Sequence, residues 1–155
     1  MKHNGEIAKW VRLSGSEEEA QALEYVKKVL TGYGYKVQEY RFDSFVGHPE
    51  YAELTVLSPT PKTIRGPAPA LVPPTPDDGV SAELVYVGKG DNYEAFDAKG
   101  KIVLIDGLSN PRLAKRAEDQ GAVGEVFIND EHAREGIASV VWGTPTPETA
   151  HLLPK

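Results

Sequence analysis

Seven of the chain's 12 prolines fall between Pro59 and Pro76. Proline lacks a backbone donor and its ring clashes with the preceding helical turn, so such a run suits neither a helix nor a central strand. The same stretch has few large apolar residues. It reads as a connection, and it divides the 155 residues into a front segment over 1–58, a Pro-rich link over 59–82 and a second unit over 83–155.

The front segment opens its first strong element at Ser16. Ser16 followed by Glu17, Glu18 and Glu19 has the form of a capping box, with Glu19 three residues after the cap. Three carboxylates in a first turn also suit the positive end of a helix dipole. Ala22, Leu23, Val26, Val29 and Leu30 recur at helical spacing, and Gly32 or Gly34 would stop the helix. Two strands are expected next, Tyr35–Phe45 and Ala52–Leu57, separated by the turn residues Gly47, His48 and Pro49. A helix feeding a hairpin needs another layer to cover it, so residues 1–58 alone would make a poor domain.

In the second unit, Glu83–Val87 reads as a strand ended by Gly88, Lys89 and Gly90, and Asn92–Phe96 fits a helical turn. Lys101–Ile105 is a nearly continuous apolar run, as in a strand buried on both faces. Asn110 and Pro111 stand as N-cap and first helical residue of a helix reaching Gln120. Gly121 ends it, and Val123–Ile128 forms another strand. This is a compact βαβ-like unit, and Ile137–Trp142 adds further β-like residues. The fold class expected is α+β: an N-terminal helix and hairpin, then a mostly β unit crossed by short helices.

Composition narrows the function. A net charge of -6 argues against nucleic acid, which requires clustered Lys and Arg. No apolar run approaches the ~20 residues that span a bilayer, and Met1–Glu6 leads into no signal-peptide core. A soluble chain is expected, its compartment unassigned. Cysteine is absent, which removes disulfides, thiolate nucleophiles and Cys-type zinc sites.

No active site emerges from the motifs. Gly88-Lys89-Gly90 invites a dinucleotide reading, but Tyr93 stands where the third glycine belongs, so a tight turn explains it. Among His3, His48, His132 and His151, the only local cluster is Glu131, His132 and Glu135. A solvated turn accounts for that cluster better than a metal site does. Ser14, Ser16, Ser44, Ser58, Ser81, Ser109 and Ser139 lie in no Gly-x-Ser-x-Gly elbow. Asp77-Asp78 and Asp130-Glu131 sit in loop-like contexts. Tyr86, Tyr93, Phe96, Phe127 and Trp142 are candidates for a peptide-binding groove, although core positions are the commoner use of such residues. No catalytic, cofactor-binding or metal-ligating residue is assigned.

Asp97-Ala98-Lys99-Gly100-Lys101-Ile102-Val103-Leu104-Ile105, then Ala114, Ala117 and Gly121-Ala122-Val123-Gly124, resembles the protease-associated domain. Leu84-Val85-Tyr86-Val87-Gly88 fits that family's opening strand. In front of it, Arg12-Leu13-Ser14-Gly15-Ser16, Ala20, Leu23, Tyr25, Val26, Leu30 and Gly34-Tyr35 are similar to the start of zinc aminopeptidases related to glutamate carboxypeptidase and transferrin receptor. The order of the two parts matches that family across nearly the whole chain.

The resemblance implies a parent enzyme that removes N-terminal residues from peptides with zinc-activated water. Its metal ligands would lie C-terminal to the inserted domain, beginning with a His-x-Asp. No His-x-Asp occurs here, so no zinc ligand or catalytic Glu is carried over, and no cofactor is expected in this chain. The expected role is the non-catalytic front portion, with the protease-associated domain shaping or covering the substrate entrance. The partners implied are peptide substrate or the missing catalytic domain, with a homodimer if residues 1–58 pair with another copy. The alternatives are a free-standing peptide- or protein-binding module and the non-catalytic half of a two-chain enzyme.

Overall fold

The computed structural model describes residues 2–129, 136–141 and 144–153. The chain forms two compact units, Met1–Val46 and Gly47–Lys155. Residues 47–58, which composition groups with the front segment, belong by contact to the second unit.

In the first unit, α1 spans Lys2–Ile7 and α2 spans Glu17–Gly32. The capping box forms with a one-residue offset. Ser16 Oγ accepts from the Glu19 N–H at 3.1 Å, while the Glu19 carboxylate accepts from the Gly15 N–H at 2.7 Å. One helix-terminal donor, the Glu19 N–H, is thereby satisfied, and the Glu19 carboxylate also holds the residue before the cap. At the other end the Gly34 N–H donates to Thr31 O at 2.9 Å and the Tyr35 N–H to Leu30 O at 3.1 Å. That is a Schellman ending, with Gly34 in the position that needs a left-handed backbone. His3 ties α1 to α2: its two ring nitrogens each lie 2.9 Å from a hydroxyl, Tyr25 on one side and Tyr33 on the other.

The apolar face of α2 is present in spacing and mostly uncovered. Ala22 is its buried residue, whereas Leu23 and Leu30 are exposed. The strand expected over Tyr35–Phe45 does not form; these residues have no regular secondary structure. Their alternation is intact, but a strand also requires a neighbour to take its backbone donors and acceptors.

The partner expected from that segment is supplied from inside the Pro-rich stretch. Strand β1 (Ala52–Val56) pairs antiparallel with β2 (Lys62–Gly66), Ala52 opposite Gly66 and Val56 opposite Lys62. Lys62–Gly66 contains no proline, and five free residues between prolines are enough for a short strand. The hairpin therefore stands, built from a different pair of segments.

The main sheet has the order β3-β4-β5, with β3 at Leu84–Tyr86, β4 at Ile102–Asp106 and β5 at Gly124–Ile128, all parallel. Helix α3 (Pro111–Asp119) crosses from β4 to β5. Asn110 caps it as expected, its side-chain oxygen accepting from the Arg112 and Leu113 N–H groups at 3.1 Å each. Gly121 ends it in a second Schellman motif, with Gly121 N–H to Glu118 O at 2.8 Å and Ala122 N–H to Ala117 O at 3.1 Å. Gly124 is required for close approach rather than for an unusual angle, because a Cβ there would lie 3.3 Å from Ile102.

Strand alternation sends Val103 and Ile105 of β4 to the α3 side, where both are fully buried. With Val87, Tyr93, Ala98, Leu113 and Ala117 they form the core cluster, and Val85, Ala122 and Phe127 pack against it. Burying an aliphatic side chain of this size contributes about 2 kcal/mol. The two small alanines, Ala114 and Ala117, let α3 approach the sheet closely. On the other face Ile102 and Leu104 are half-buried, so β4 is covered unequally rather than on both faces alike. Of Ile137–Trp142, Ile137 forms one parallel bridge with Ala70, and Ala138, Ser139 and Val141 are buried. Trp142 lies outside the described residues. Among the described residues no helix is long and apolar enough to cross a membrane.

Candidate functional site

The turn after β3 delivers a loop to the exposed side of α3. Gly88, Lys89 and Gly90 form the tight turn expected of them: the Gly90 N–H donates to Val87 O at 3.2 Å, and Gly88 O accepts from Asp106 at 2.8 Å. Asp91 then anchors the loop. Its Oδ1 accepts from Arg112 at 2.6 Å and from Arg116 at 3.3 Å, and Arg116 also donates to its carbonyl at 2.7 Å. The hydrogen bond from Arg112 holds the Asp91 carboxyl below its usual range. Asn92 closes a side-chain turn by accepting from the Glu94 N–H at 2.8 Å, and Phe96 N–H donates to Tyr93 O at 2.9 Å. The turn expected over Asn92–Phe96 is this one.

Asp91, Asn92, Tyr93, Glu94, Arg116 and Gln120 line an open cleft of about 310 Å³. Its wall is polar, and its one cation is already committed to Asp91. Tyr93 is only 8% exposed, and its hydroxyl is buried without a hydrogen-bond partner. Burial, and secondarily the neighbouring Glu125, raise its pKa. Glu125 lies on β5 opposite Val103, and its pKa is raised to about 7 by burial, with Glu118 adding to the effect. The cleft residues include no histidine and no serine, and no nucleophile stands against a base there. What this arrangement can offer is a shaped polar surface with two carboxylates and a guanidinium.

A second hollow, of about 440 Å³, opens between α1 and α2 beside His3, Tyr25 and Tyr33. There the histidine is held between two tyrosines rather than presented as a ligand. The other residues considered from sequence are dispersed. His48 and His151 are exposed, as are Asp77 and Asp78. Ser16 is the helix cap, and Ser139 is fully buried, its hydroxyl accepting from the Val141 N–H at 3.0 Å. Asp130, Glu131, His132 and Glu135 lie outside the described residues. Among the described residues no group of three or more His, Cys, Asp or Glu could hold a metal ion, so no zinc chemistry is assigned to any of them.

The aromatic residues do not form one groove. Phe127 is paired in register with Ile105 and faces the core with Tyr93, while Tyr86 is paired with Leu104 on the opposite face. Glu125 was missed because a Glu in Gly124–Ile128 reads as the polar half of an alternating strand. Only the register shows that it shares the face of Val103 and the core.

Residues 80–154 match the PA domain family. Among solved structures, the aminopeptidase from Aneurinibacillus sp. strain AM-1 is similar over 88% of this chain, with 28% identity and a TM-score of 0.66. A zinc aminopeptidase from Bacillus subtilis is similar in fold over 89% of the chain, with 21% identity and a TM-score of 0.54. No curated protein matches in sequence. The chain spans about a third of these structures, 33% and 35% respectively. It therefore carries a PA domain, the protease-associated domain, and shares its α+β fold with part of the zinc aminopeptidases.

Proposed function

We propose that this chain is the non-catalytic front portion of a zinc-dependent aminopeptidase, its PA domain shaping or covering the substrate entrance. The observation that carries this reading is the extent of the likeness to the Aneurinibacillus aminopeptidase. It reaches 88% of the chain, well beyond the residues 80–154 that match the PA domain, and so takes in residues of the first unit. The first unit is also where apolar surface is left bare: Tyr40 is 79% and Phe42 83% exposed. Apolar surface of that kind is expected where another body of protein normally sits. A polar cleft without a nucleophile–base pair suits an element that guides substrate better than one that cleaves it.

A free-standing binding module is the second reading, favoured by the outer face of the sheet. Leu84, Tyr86 and Ile128 are all exposed there, on the side away from Val103 and Ile105. Both readings can be tested with one graft, in which this chain replaces the matching third of the Aneurinibacillus enzyme. Hydrolysis of N-terminal substrates of increasing length is compared with that of an enzyme lacking the segment equivalent to 80–154. The entrance role requires the deletion to lose discrimination by peptide length and the graft to restore it. Identical kcat/KM profiles with and without the segment would refute that role. Tight peptide binding by the isolated chain would favour the module. Sedimentation of the isolated chain tests the homodimer, which a strictly monomeric profile at high concentration excludes.

A further inference from the structure

Residues 35–45 lie in the first unit and carry an intact strand pattern without a strand. They include neither proline nor glycine, and none of them adopts a left-handed backbone. Tyr35, Tyr40, Phe42 and Phe45 are all exposed. Among the described residues, none of residues 36–42 belongs to a helix or strand or makes a backbone–backbone hydrogen bond. An aromatic-rich stretch with its backbone donors and acceptors open is a template for pairing with another strand. Lys27 of α2 reaches Glu39 at 3.1 Å, so the middle of the stretch is tethered to the helix rather than loose.

We propose that residues 35–45 pair antiparallel with the same residues of a second copy of this chain, Tyr40 lying opposite Tyr40 on the two-fold axis. In a symmetric pair the same patch meets itself, so whatever faces a residue is faced by it in return. The axis runs perpendicular to the ribbon and keeps each side chain on its own face, so the register is centred on a residue and never between two. With Tyr40 at the centre, Glu39 faces Arg41 of the partner subunit, and Arg41 faces Glu39 of the partner subunit. Tyr35 meets Phe45 at the same register, and Gln38 meets Phe42. Moving the centre by one residue sets Glu39 against Glu39 or Arg41 against Arg41, and like charges directly opposite destabilise a strand pair. Charge therefore selects the register that also aligns the whole segment.

Within one chain Glu39 and Arg41 already form an ion pair, as residues two apart on one face of a strand can. Pairing lets each carboxylate meet a second guanidinium at the exposed ribbon. On the other face Tyr40 and Phe42 of both copies fall in one row, within reach of diagonal aromatic contacts. The pairing does not rest on the aminopeptidase reading. The rest of such an enzyme is the competing occupant of the same surface, and the test separates the two.

The test uses the intact chain, which has no cysteine, so single introduced thiols report the register. Under mild oxidation Tyr40→Cys should form a covalent dimer and Ser44→Cys alone should not. A mixture of Lys36→Cys with Ser44→Cys should cross-link, because those positions face each other across the axis. In sedimentation equilibrium the wild type should dimerise with rising concentration. Arg41→Glu, checked for its fold by circular dichroism, should weaken the dimer on the order of 10-fold or more, and adding Glu39→Arg should restore it. If Arg41→Glu does not fold, the cross-linking decides alone. A strictly monomeric wild type, a dimer that Arg41→Glu leaves unchanged, or equal cross-linking of Tyr40→Cys and Ser44→Cys overturns the proposal. A monomeric chain whose 36–42 amides gain hydrogen-exchange protection only in the Aneurinibacillus graft also overturns it, and gives the segment to the rest of an enzyme.

Discussion

Replacing Gly90 by Ala separates two effects that usually arrive together. Gly90 has φ +68°, and an added Cβ would lie 3.2 Å from both Ile105 Cγ2 and Leu113 Cδ2. Gly100 has a nearly identical φ of +70°, but a Cβ there would meet nothing within 4 Å. Both substitutions incur the left-handed backbone cost, about 1–2 kcal/mol. Both also gain a few tenths to 1 kcal/mol or so from a stiffer unfolded chain, and this gain cancels in the comparison. Only Gly90→Ala must also displace atoms in the core. Ile105 is fully buried and Leu113 nearly so, so neither can swing into solvent. Overpacking of this kind adds about 1–3 kcal/mol. Gly90→Ala is therefore expected to be about 1–3 kcal/mol less stable than Gly100→Ala, measured by urea unfolding followed by far-UV circular dichroism. Equal stabilities of the two variants would refute the packing argument and leave only the backbone cost.

Two further outcomes follow from hydrogen bonding. Asn110→Ala removes the acceptor of two α3 N–H groups and should cost about 1–2 kcal/mol; a variant as stable as wild type in the same assay would mean that water caps the helix equally well. Tyr93→Phe deletes a buried hydroxyl that has no hydrogen-bond partner and keeps the ring in the core. It should leave stability unchanged or raise it by about 1 kcal/mol, since an unmet polar group is costly to bury; a loss beyond that range in thermal unfolding would show that the hydroxyl makes a bond in solution.

The two main helices were legible because their signals are local. Ser16 with Glu19, and Asn110 with Pro111, each satisfy terminal donors within three or four residues, and no distant contact is needed to fix the helix start. Gly34 and Gly121 close the same helices for an equally local reason. The βαβ unit was legible because β4, α3 and β5 follow one another directly and the apolar run at Ile102–Ile105 marks the middle of the sheet. Strand pairing is not local. Tyr35–Phe45 and Lys62–Gly66 both offer backbone that could enter a sheet, and only the second finds Ala52–Val56 in register. Proline density concealed it, because composition averages over a stretch while a five-residue strand needs only a gap.

Sequence by itself thus determined the α+β class, the caps and ends of α2 and α3, and the order of the elements in the PA domain. It also supplied the resemblance to zinc aminopeptidases, through short motifs whose spacing is independent of three-dimensional context. Tertiary structure alone decided which segments pair, which aromatic residues face the core and which side of β5 faces Val103 and Ile105 across the register. Glu125 shows the physical reason. Its neighbours in the chain make it an ordinary polar residue of a strand, and its neighbours in space, the core around Val103 and then Glu118, push its carboxyl pKa upward.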